Sequence, residues 1–260
     1  MTQPPSTSVL EDDHRLAEWL ATTAGQRLLE VRGEGLEGRE LKDAGDLAAH
    51  ELLVELLHRH RPDDAVLSEE GRDDKARLTA RRVWIIDPLD GTREFSEPPR
   101  DDWAVHVALW EGGDLTAGAV AQPGLGTTFS THVPPTVPPR TSSAPRIAVS
   151  RTRPPAFVEE LAKELGAELV PMGSAGAKVI SVARDVTDAY VHAGGQYEWD
   201  SAAPVVVARA AGLHTSRADG APLQYNQEDV LLPDLLVCRP ELAEPITEFV
   251  KRSGALTDRS

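Results

Sequence analysis

With one cysteine, Cys238, among 260 residues, the chain cannot form an internal disulfide, and a reducing, cytoplasmic setting is the expectation. No apolar stretch approaches the roughly 20 residues that a membrane span needs. The opening MTQPPSTSVL lacks the basic start and apolar centre of a signal peptide, so residues 1–11 are expected to be a flexible tail. Basic side chains are also scarce: 27 Lys and Arg face 42 Asp and Glu, a net charge of −15. That balance argues against nucleic-acid backbone or an anionic membrane as partner. A small anionic substrate remains compatible with it, provided that cations gather at the site.

What is present suits a soluble globular protein with a substantial core, 40% hydrophobic and 27% charged. Leu16, Leu20, Ala24, Leu28 and Val31 recur at helical spacing over 12–32. A second helix is expected from Asp43 or Asp46 to Pro62, burying Leu52, Leu53, Leu56 and Leu57. AVLSEE (65–70) and VWIID (83–87) read as strands, the latter apolar enough to be buried on both faces. Alternation of Trp103, Val105, Val107 and Leu109 marks another, with LTAGAVAQP and TTFST as its neighbours in a meander. Residues 132–145 hold five of the 20 prolines and read as a linker or exposed loop. Beyond them come a strand at 146–150, a helix over 155–165, a strand near AELVP and a helix near 175–184. The strand DAYVHA and a small-residue helix over 201–211 follow. The pattern implies a mixed α/β fold in two lobes, residues 12–140 and 141–252, with a tail at 253–260.

Glu69, Asp87 and Asp90 each fall at or just past the C-terminal end of an expected strand, the edge where α/β sheets gather ligands. Clustered carboxylates repel unless a cation or a proton compensates. Oxygen ligands without nearby histidine or cysteine select Mg²⁺, with Mn²⁺ as a substitute. The carbonyl of Leu89 could add another oxygen. Gly91 lets the backbone approach closely, and the N–H groups after it could cradle a phosphate if a helix begins there. A capped turn would explain D-x-x-D-G alone equally well. Further along, Asp200 in EWDSAA stands where it would cap a helix.

Taken together, S-E-E, D-P-L-D-G-T and W-D-x-A-A resemble the Mg²⁺-dependent, lithium-sensitive inositol monophosphatase superfamily, over about residues 12–240. That resemblance implies a layered αβαβα sugar-phosphatase fold and metal ligation by Glu69, Asp87, the Leu89 carbonyl, Asp90 and Asp200, backed by Glu70. It implies two or three Mg²⁺ ions, inhibition by Li⁺, phosphate binding at Gly91 and Thr92, and a homodimer. Thr92 and Asp46 match the pair that orients the attacking water, with Glu69 beside them. One departure is Asp43, where the family often has threonine. Phosphate-monoester hydrolysis by metal-activated water needs no side-chain nucleophile, which suits a chain without a serine or cysteine triad signature.

VSRTRPP (149–155) and GSAGAK (173–178) resemble the bacterial CysQ-type branch, which acts on 3′-phosphoadenosine 5′-phosphate in sulfur assimilation. Arg151, Arg153 and Lys178 would then meet the remote phosphate, since arginine offers a planar fork to it. Ser174, His192 and Glu198 fall near the nucleotide by the same resemblance. Inositol 1-phosphate and fructose 1,6-bisphosphate are alternative substrates, and a catalytically silent metal- or nucleotide-binding relative is the rival from another class. Trp84, Trp103 and Trp110 read as packing residues, His14, His58 and His60 as surface, Cys238 as a buried strand residue, and Asp73 and Asp74 as solvated charge.

Overall fold

The computed structural model describes residues 5–152 and 154–256. A short helix α1 (Thr7–Leu10) precedes two long ones, α2 (Asp13–Arg32) and α3 (Gly38–His60). The Asp12 carboxylate caps α2 by accepting the N–H groups of His14 (2.9 Å) and Arg15 (3.3 Å). Strands β1 (Ala65–Ser68), β2 (Arg82–Asp90), β3 (Ala104–Glu111), β4 (Asp114–Gln122) and β5 (Thr127–Ser130) form the first sheet in that order. The one-turn helix α4 (Thr92–Phe95) lies between β2 and β3. Only β1 and β2 run parallel; the other pairs are antiparallel.

After the irregular stretch 131–145 come β6 (Arg146–Ser150), α5 (Ala156–Leu165), β7 (Glu168–Met172), α6 (Ala175–Ala183) and β8 (Ala189–Tyr197). Then follow α7 (Glu198–Ala210), β9 (His214–Ser216), β10 (Leu231–Cys238) and α8 (Pro240–Ser253). The second sheet runs β7-β6-β8-β10-β9.

Burial patterns dictate how these layers stack. One face of the first sheet packs Trp84, Ile86, Trp103, Val105 and Val107 against Leu16, Leu20, Leu28, Leu53 and Leu57 of α2 and α3. Its other face shares a core with the second sheet. Val83, Ile85, Ala104 and Ala108 meet Val179 and Val182 of α6 and Val205 and Val207 of α7, and these meet Tyr190, Leu235 and Val237. Beyond the second sheet, Val158 and Leu161 of α5 and Ile246 and Phe249 of α8 close the stack. The order is therefore helix, sheet, helix, sheet, helix. Burying each large apolar side chain supplies about 1.5–3 kcal/mol, and the shared middle core ties both sheets to α6 and α7.

Several expectations shift. Helix α3 starts at Gly38, because the buried spacing Leu41, Gly45, Ala49, Leu53 extends upstream of Asp43; Asp46 thus lies in the helix body. Strand β2 continues through Pro88 to Asp90 by a bulge in its pairing with β3. Helix α7 begins at Glu198, so Asp200 is its third residue. The expected tail 1–11 contains α1, and the Leu10 carbonyl accepts a 2.9 Å hydrogen bond from Arg61. Asp73 is no free charge: it pairs with buried Arg77 at 2.7 Å, while Asp74 accepts the Ala76 N–H. His60 is half-buried, edge-on to Trp19. Trp84 and Trp103 are buried, Trp110 packs on the middle core, and Cys238 is a buried strand residue, as expected. No helix among the described residues is long and apolar enough to cross a membrane.

Candidate active site

The site grows from the bulge in β2. Asp87 pairs across the strands with His106, and the next matched pair is Asp90 with Ala104, so the chain steps outward over Pro88 and Leu89. Asp87 Oδ1 accepts the Leu89 N–H at 3.0 Å, which folds the step into a tight turn. Thr92 Oγ1 donates to the Leu89 carbonyl at 3.3 Å, fixing the carbonyl expected as a ligand. Gly91 adopts φ 84°, and a Cβ there would stand 3.0 Å from Ser174 Cβ and 3.3 Å from Trp103 Cβ. Glycine is required on both counts.

Asp87 and Asp90 are both buried, yet their surroundings are opposite. Asp90 faces the N-terminus of α6. It accepts the Ser174 hydroxyl and the N–H groups of Ala175 (3.1 Å) and Gly176 (2.6 Å), and His106 Nε2 stands 3.3 Å away. Burial alone would raise its carboxyl, but His106, Ser174 and the Gly176 N–H outweigh burial and bring it to about 2. Asp87 has less help, with His106 Nδ1 3.8 Å from its Oδ2, beyond hydrogen-bond distance. Burial, reinforced by the charges of Glu69 and Asp90, pushes it well above the usual carboxylate range. No hydrogen-bond donor among the described residues reaches the buried Asp87 Oδ2.

Carboxylate oxygens of Asp87, Asp90 and Asp200 lie within 4.8 Å of one another, a group able to hold a metal ion. Asp200 reaches back from α7 to accept the Tyr197 N–H at 2.7 Å. Its carboxyl is raised to about 6, first by burial and then by Asp90. Glu69, in the turn after β1, remains accessible, but lost hydration in the cleft and the Asp200 charge raise it to about 7. Asp46 is also brought to about 7, by burial and then by Glu70 and Asp43. Close packing of α3 explains its position: a Cβ on Gly45 would stand 2.7 Å from Phe95 and 3.0 Å from Leu89. Asp43 itself is exposed and pairs with Arg39 at 3.4 Å. Mutually raised carboxyls and an orphaned acceptor in an oxygen-only cluster fit a hard divalent cation.

Asp90, Gly91 and Asp200 border a cavity of about 470 Å³ whose remaining wall includes Ser150, Ser174, Lys178, Tyr190, His192 and Gln196. Ser174 caps α6 by accepting the Ala177 N–H at 3.0 Å, in a left-handed conformation (φ 42°) unusual for serine. Buried Lys178 donates from Nζ to the carbonyls of Gly173 (3.0 Å) and Ser174 (2.5 Å) and lies 5.3 Å from the Tyr190 ring centre. Burial lowers its pKa despite the acids around it.

Two expected substrate contacts point elsewhere. Arg151 pairs with Glu94 of α4 (2.6 Å) and with Glu97 just beyond that helix (2.8 Å). Glu198 is buried, and its two oxygens accept the N–H groups of Asn226 (2.6 Å) and Gln227 (2.7 Å). It anchors a loop and does not border the cavity. Arg153 lies outside the described residues. Two residues were not foreseen. His106, wholly buried, donates from Nδ1 to the Trp199 carbonyl (3.0 Å) while its Nε2 faces Asp90; Gln196 borders the cavity. A histidine at an apolar strand position, opposite an acid in register, was the available signal for the first.

Residues 11–253 match the inositol monophosphatase family. The chain belongs to that family. It is similar to the 3′-phosphoadenosine 5′-phosphate phosphatase of Mycobacterium leprae, 52% identical over 245 residues, 89% of this chain and 90% of the relative. The 3′(2′),5′-bisphosphate nucleotidase CysQ of Escherichia coli is 30% identical over 200 residues, 73% of this chain and 81% of its own. Among solved structures, CysQ of Bacteroides thetaiotaomicron superposes with a TM-score of 0.74 at 26% identity, covering 86% of this chain and 96% of that one. Inositol monophosphatase II of Staphylococcus aureus reaches 0.80 at 22% identity, covering 94% and 97%.

Proposed function

We propose that the protein hydrolyses the 3′-phosphate of 3′-phosphoadenosine 5′-phosphate, giving AMP and orthophosphate, in a Mg²⁺-dependent reaction within sulfur assimilation. One observation carries the reading: a single cavity is bordered both by the Asp90 and Asp200 acids and by the buried Lys178. A monoester such as inositol 1-phosphate needs the acids only, whereas a bisphosphorylated nucleotide would use the lysine as well. The similarity to the Mycobacterium leprae phosphatase over nearly the whole chain supports the same choice.

Glu69, Asp87, the Leu89 carbonyl, Asp90 and Asp200 would hold two or three Mg²⁺ ions, with Mn²⁺ as a substitute and Li⁺ as an inhibitor. When bound, the metal activates water and neutralises charge on the ester oxygens. The protein's own groups do the rest. Gly91 and Thr92 receive the phosphate being cleaved. Asp46 and Thr92 orient the attacking water, and Asp46, titrating near 7, is matched to accept its proton. The α6 N-terminus holds Asp90 ionised and fixed through Ser174, Ala175 and Gly176. Lys178 spends two of its three donors on backbone carbonyls, leaving one for the remote phosphate. Ser174 and His192 flank the ligand.

The test is phosphate release with Mg²⁺ from 3′-phosphoadenosine 5′-phosphate, inositol 1-phosphate and fructose 1,6-bisphosphate in parallel. A kcat/KM at least about a hundredfold higher for the nucleotide, roughly 2.7 kcal/mol of discrimination, is expected. Comparable rates on all three would overturn the substrate assignment.

A further inference from the structure

Two segments that carry expected metal ligands, far apart in sequence, are tied together away from the cavity. One is the stretch after Glu69, between β1 and β2, which makes a 3₁₀ turn over Lys75–Thr79. The other is the start of α7, where Glu198 stands two residues before Asp200. Arg77 and Glu198 are each 1% exposed, and neither borders the cavity. Arg77 donates to Asp73 from Nε (2.7 Å) and Nη2 (3.1 Å), and to the Asn226 side-chain oxygen from Nη1 (2.7 Å). It also donates from Nη2 to the Gln227 carbonyl at 2.8 Å, and Asn226 Nδ2 returns a bond to the Arg77 carbonyl at 3.3 Å. The backbone N–H groups of the same two residues, Asn226 and Gln227, are the ones that the Glu198 carboxylate accepts. The Glu198 N–H donates to the Val230 carbonyl at 2.9 Å, and Lys75 Nζ to the Glu228 carbonyl at 2.6 Å. The loop 226–230 is thus gripped by a buried cation on one side and a buried anion on the other.

Burying charge is costly, and an apolar cluster of similar volume often stabilises a fold as well or better. What ionic bonds add is direction. A guanidinium fork and a carboxylate that each make two or more bonds admit few arrangements of the backbone between them. Here that arrangement sets the Glu69 segment against α7, and Glu69 is close enough to Asp200 to feel its charge. We infer that Arg77 is a positioning residue for the metal site, acting through Asn226 and Glu198 to hold the Glu69 segment in register with Asp200. The inference rests on the metal ligands assigned under the functional reading above. The network shapes the site that receives the ion and touches neither substrate nor reacting atoms. Loosening it therefore weakens metal binding, and the chemical step is restored at saturating metal.

The experiment compares two network variants with a control. Arg77→Met removes the fork and keeps most of the volume. Asn226→Gly removes the amide and keeps the left-handed backbone (φ 59°), which serves should the methionine variant not fold. Arg61→Ala is the control: it breaks a partly buried pair with Asp13 (2.8 Å) in a residue whose bonds join α1, α2 and the end of α3. Each protein is read for Mn²⁺ affinity by electron paramagnetic resonance, for stability by urea unfolding after chelation, and for the Mg²⁺ dependence of phosphate release. Mn²⁺ affinity is expected to fall about tenfold in Arg77→Met and about threefold or more in Asn226→Gly. The Mg²⁺ concentration for half-maximal rate should rise by the same factors, with kcat at saturating Mg²⁺ within about twofold of native. Arg61→Ala is expected to lose stability and keep the native Mn²⁺ affinity. Affinity within about twofold of native in every network variant that folds would overturn the inference, whatever the change in stability. So would a kcat that stays low at saturating Mg²⁺, which would place the network in the chemical step. An equal loss of affinity in Arg61→Ala would also overturn it, by making the effect a general result of destabilisation. A native protein that binds no Mn²⁺ would instead overturn the metal assignment itself.

Discussion

The floor of the cleft and its far wall are built in different ways. The floor comes from one short segment, Asp87 to Thr92, whose bulge sets two acids three residues apart. Its geometry is local, and the surroundings then divide the labour. Asp90 is clasped by the first turn of α6 and stays ionised, while Asp87 is left with an orphaned oxygen and a raised pKa. The wall is drawn from β6, α6 and β8, and most of its ionic side chains already serve the protein. Lys178 caps carbonyls, and Arg151, outside the cavity lining, bridges to α4. On the proposed reading, a floor with one uncompensated carboxylate would recruit a cation, whereas a wall whose charges are paired would select through the few donors and acceptors left over.

Removing the floor should have the largest effect. Asp87→Asn is expected to lower kcat by about a thousandfold or more, roughly 4 kcal/mol, with an unchanged circular dichroism spectrum. Near-normal turnover would show that the uncompensated carboxylate is not what the chemistry needs.

The junction of floor and α6 comes next. A Cβ on Gly176 would stand 2.0 Å from His106 Nε2 and 3.1 Å from Asp90 Oδ2. Gly176→Ala should therefore cost about 1–3 kcal/mol in denaturant unfolding and lower turnover by displacing Asp90. Full stability and activity would mean that His106 and Asp90 move apart freely.

On the wall, Lys178→Ala should raise KM for the bisphosphorylated nucleotide by about tenfold more than for inositol 1-phosphate, a difference of roughly 1.4 kcal/mol. Arg151→Ala, which breaks pairs already made within the protein, should change both KM values by less than about threefold, in keeping with partly exposed ion pairs. Equal changes for both substrates in the lysine variant would remove it from the second phosphate.

The smallest effect is on stability against pH in metal-free protein. Asp46 and Glu69 titrate near 7 and Asp200 near 6, all above the unfolded values of 3.8 and 4.5. Their carboxyls favour the folded state when protonated, so stability present below about pH 4 is lost as pH rises toward 7. Asp90, at about 2, acts oppositely and only at lower pH, its contribution fading as pH falls below 3.8. Scanning calorimetry of chelated protein should show Tm falling from pH 5 to 7. A rising Tm would contradict the crowding of the floor.

The same contrast explains what could be seen beforehand. Asp87 and Asp90 sit at a strand end with turn residues between them, so spacing made them candidates, and the resemblance of the combined motifs was needed to separate a metal cluster from a capped turn. The mixed α/β class followed from the alternation of helical and strand patterns, and the five layers from the family resemblance. His106 acquires meaning only through partners on another strand and helix, by register with Asp87 and contact with the Trp199 carbonyl. Arg151 and Glu198 looked available because their partners, Glu94, Glu97 and the 226–227 backbone, are distant in sequence. Local chemistry showed through; long-range pairing did not.

Metal binding itself is the most direct test. Mn²⁺ titration followed by electron paramagnetic resonance, on native protein and on Asp87→Asn, reports occupancy of the floor without reference to any substrate. The account predicts saturable binding by the native protein, displaced by Mg²⁺, and affinity at least about tenfold weaker in the variant, roughly 1.4 kcal/mol. Equal affinity in the two proteins would contradict it.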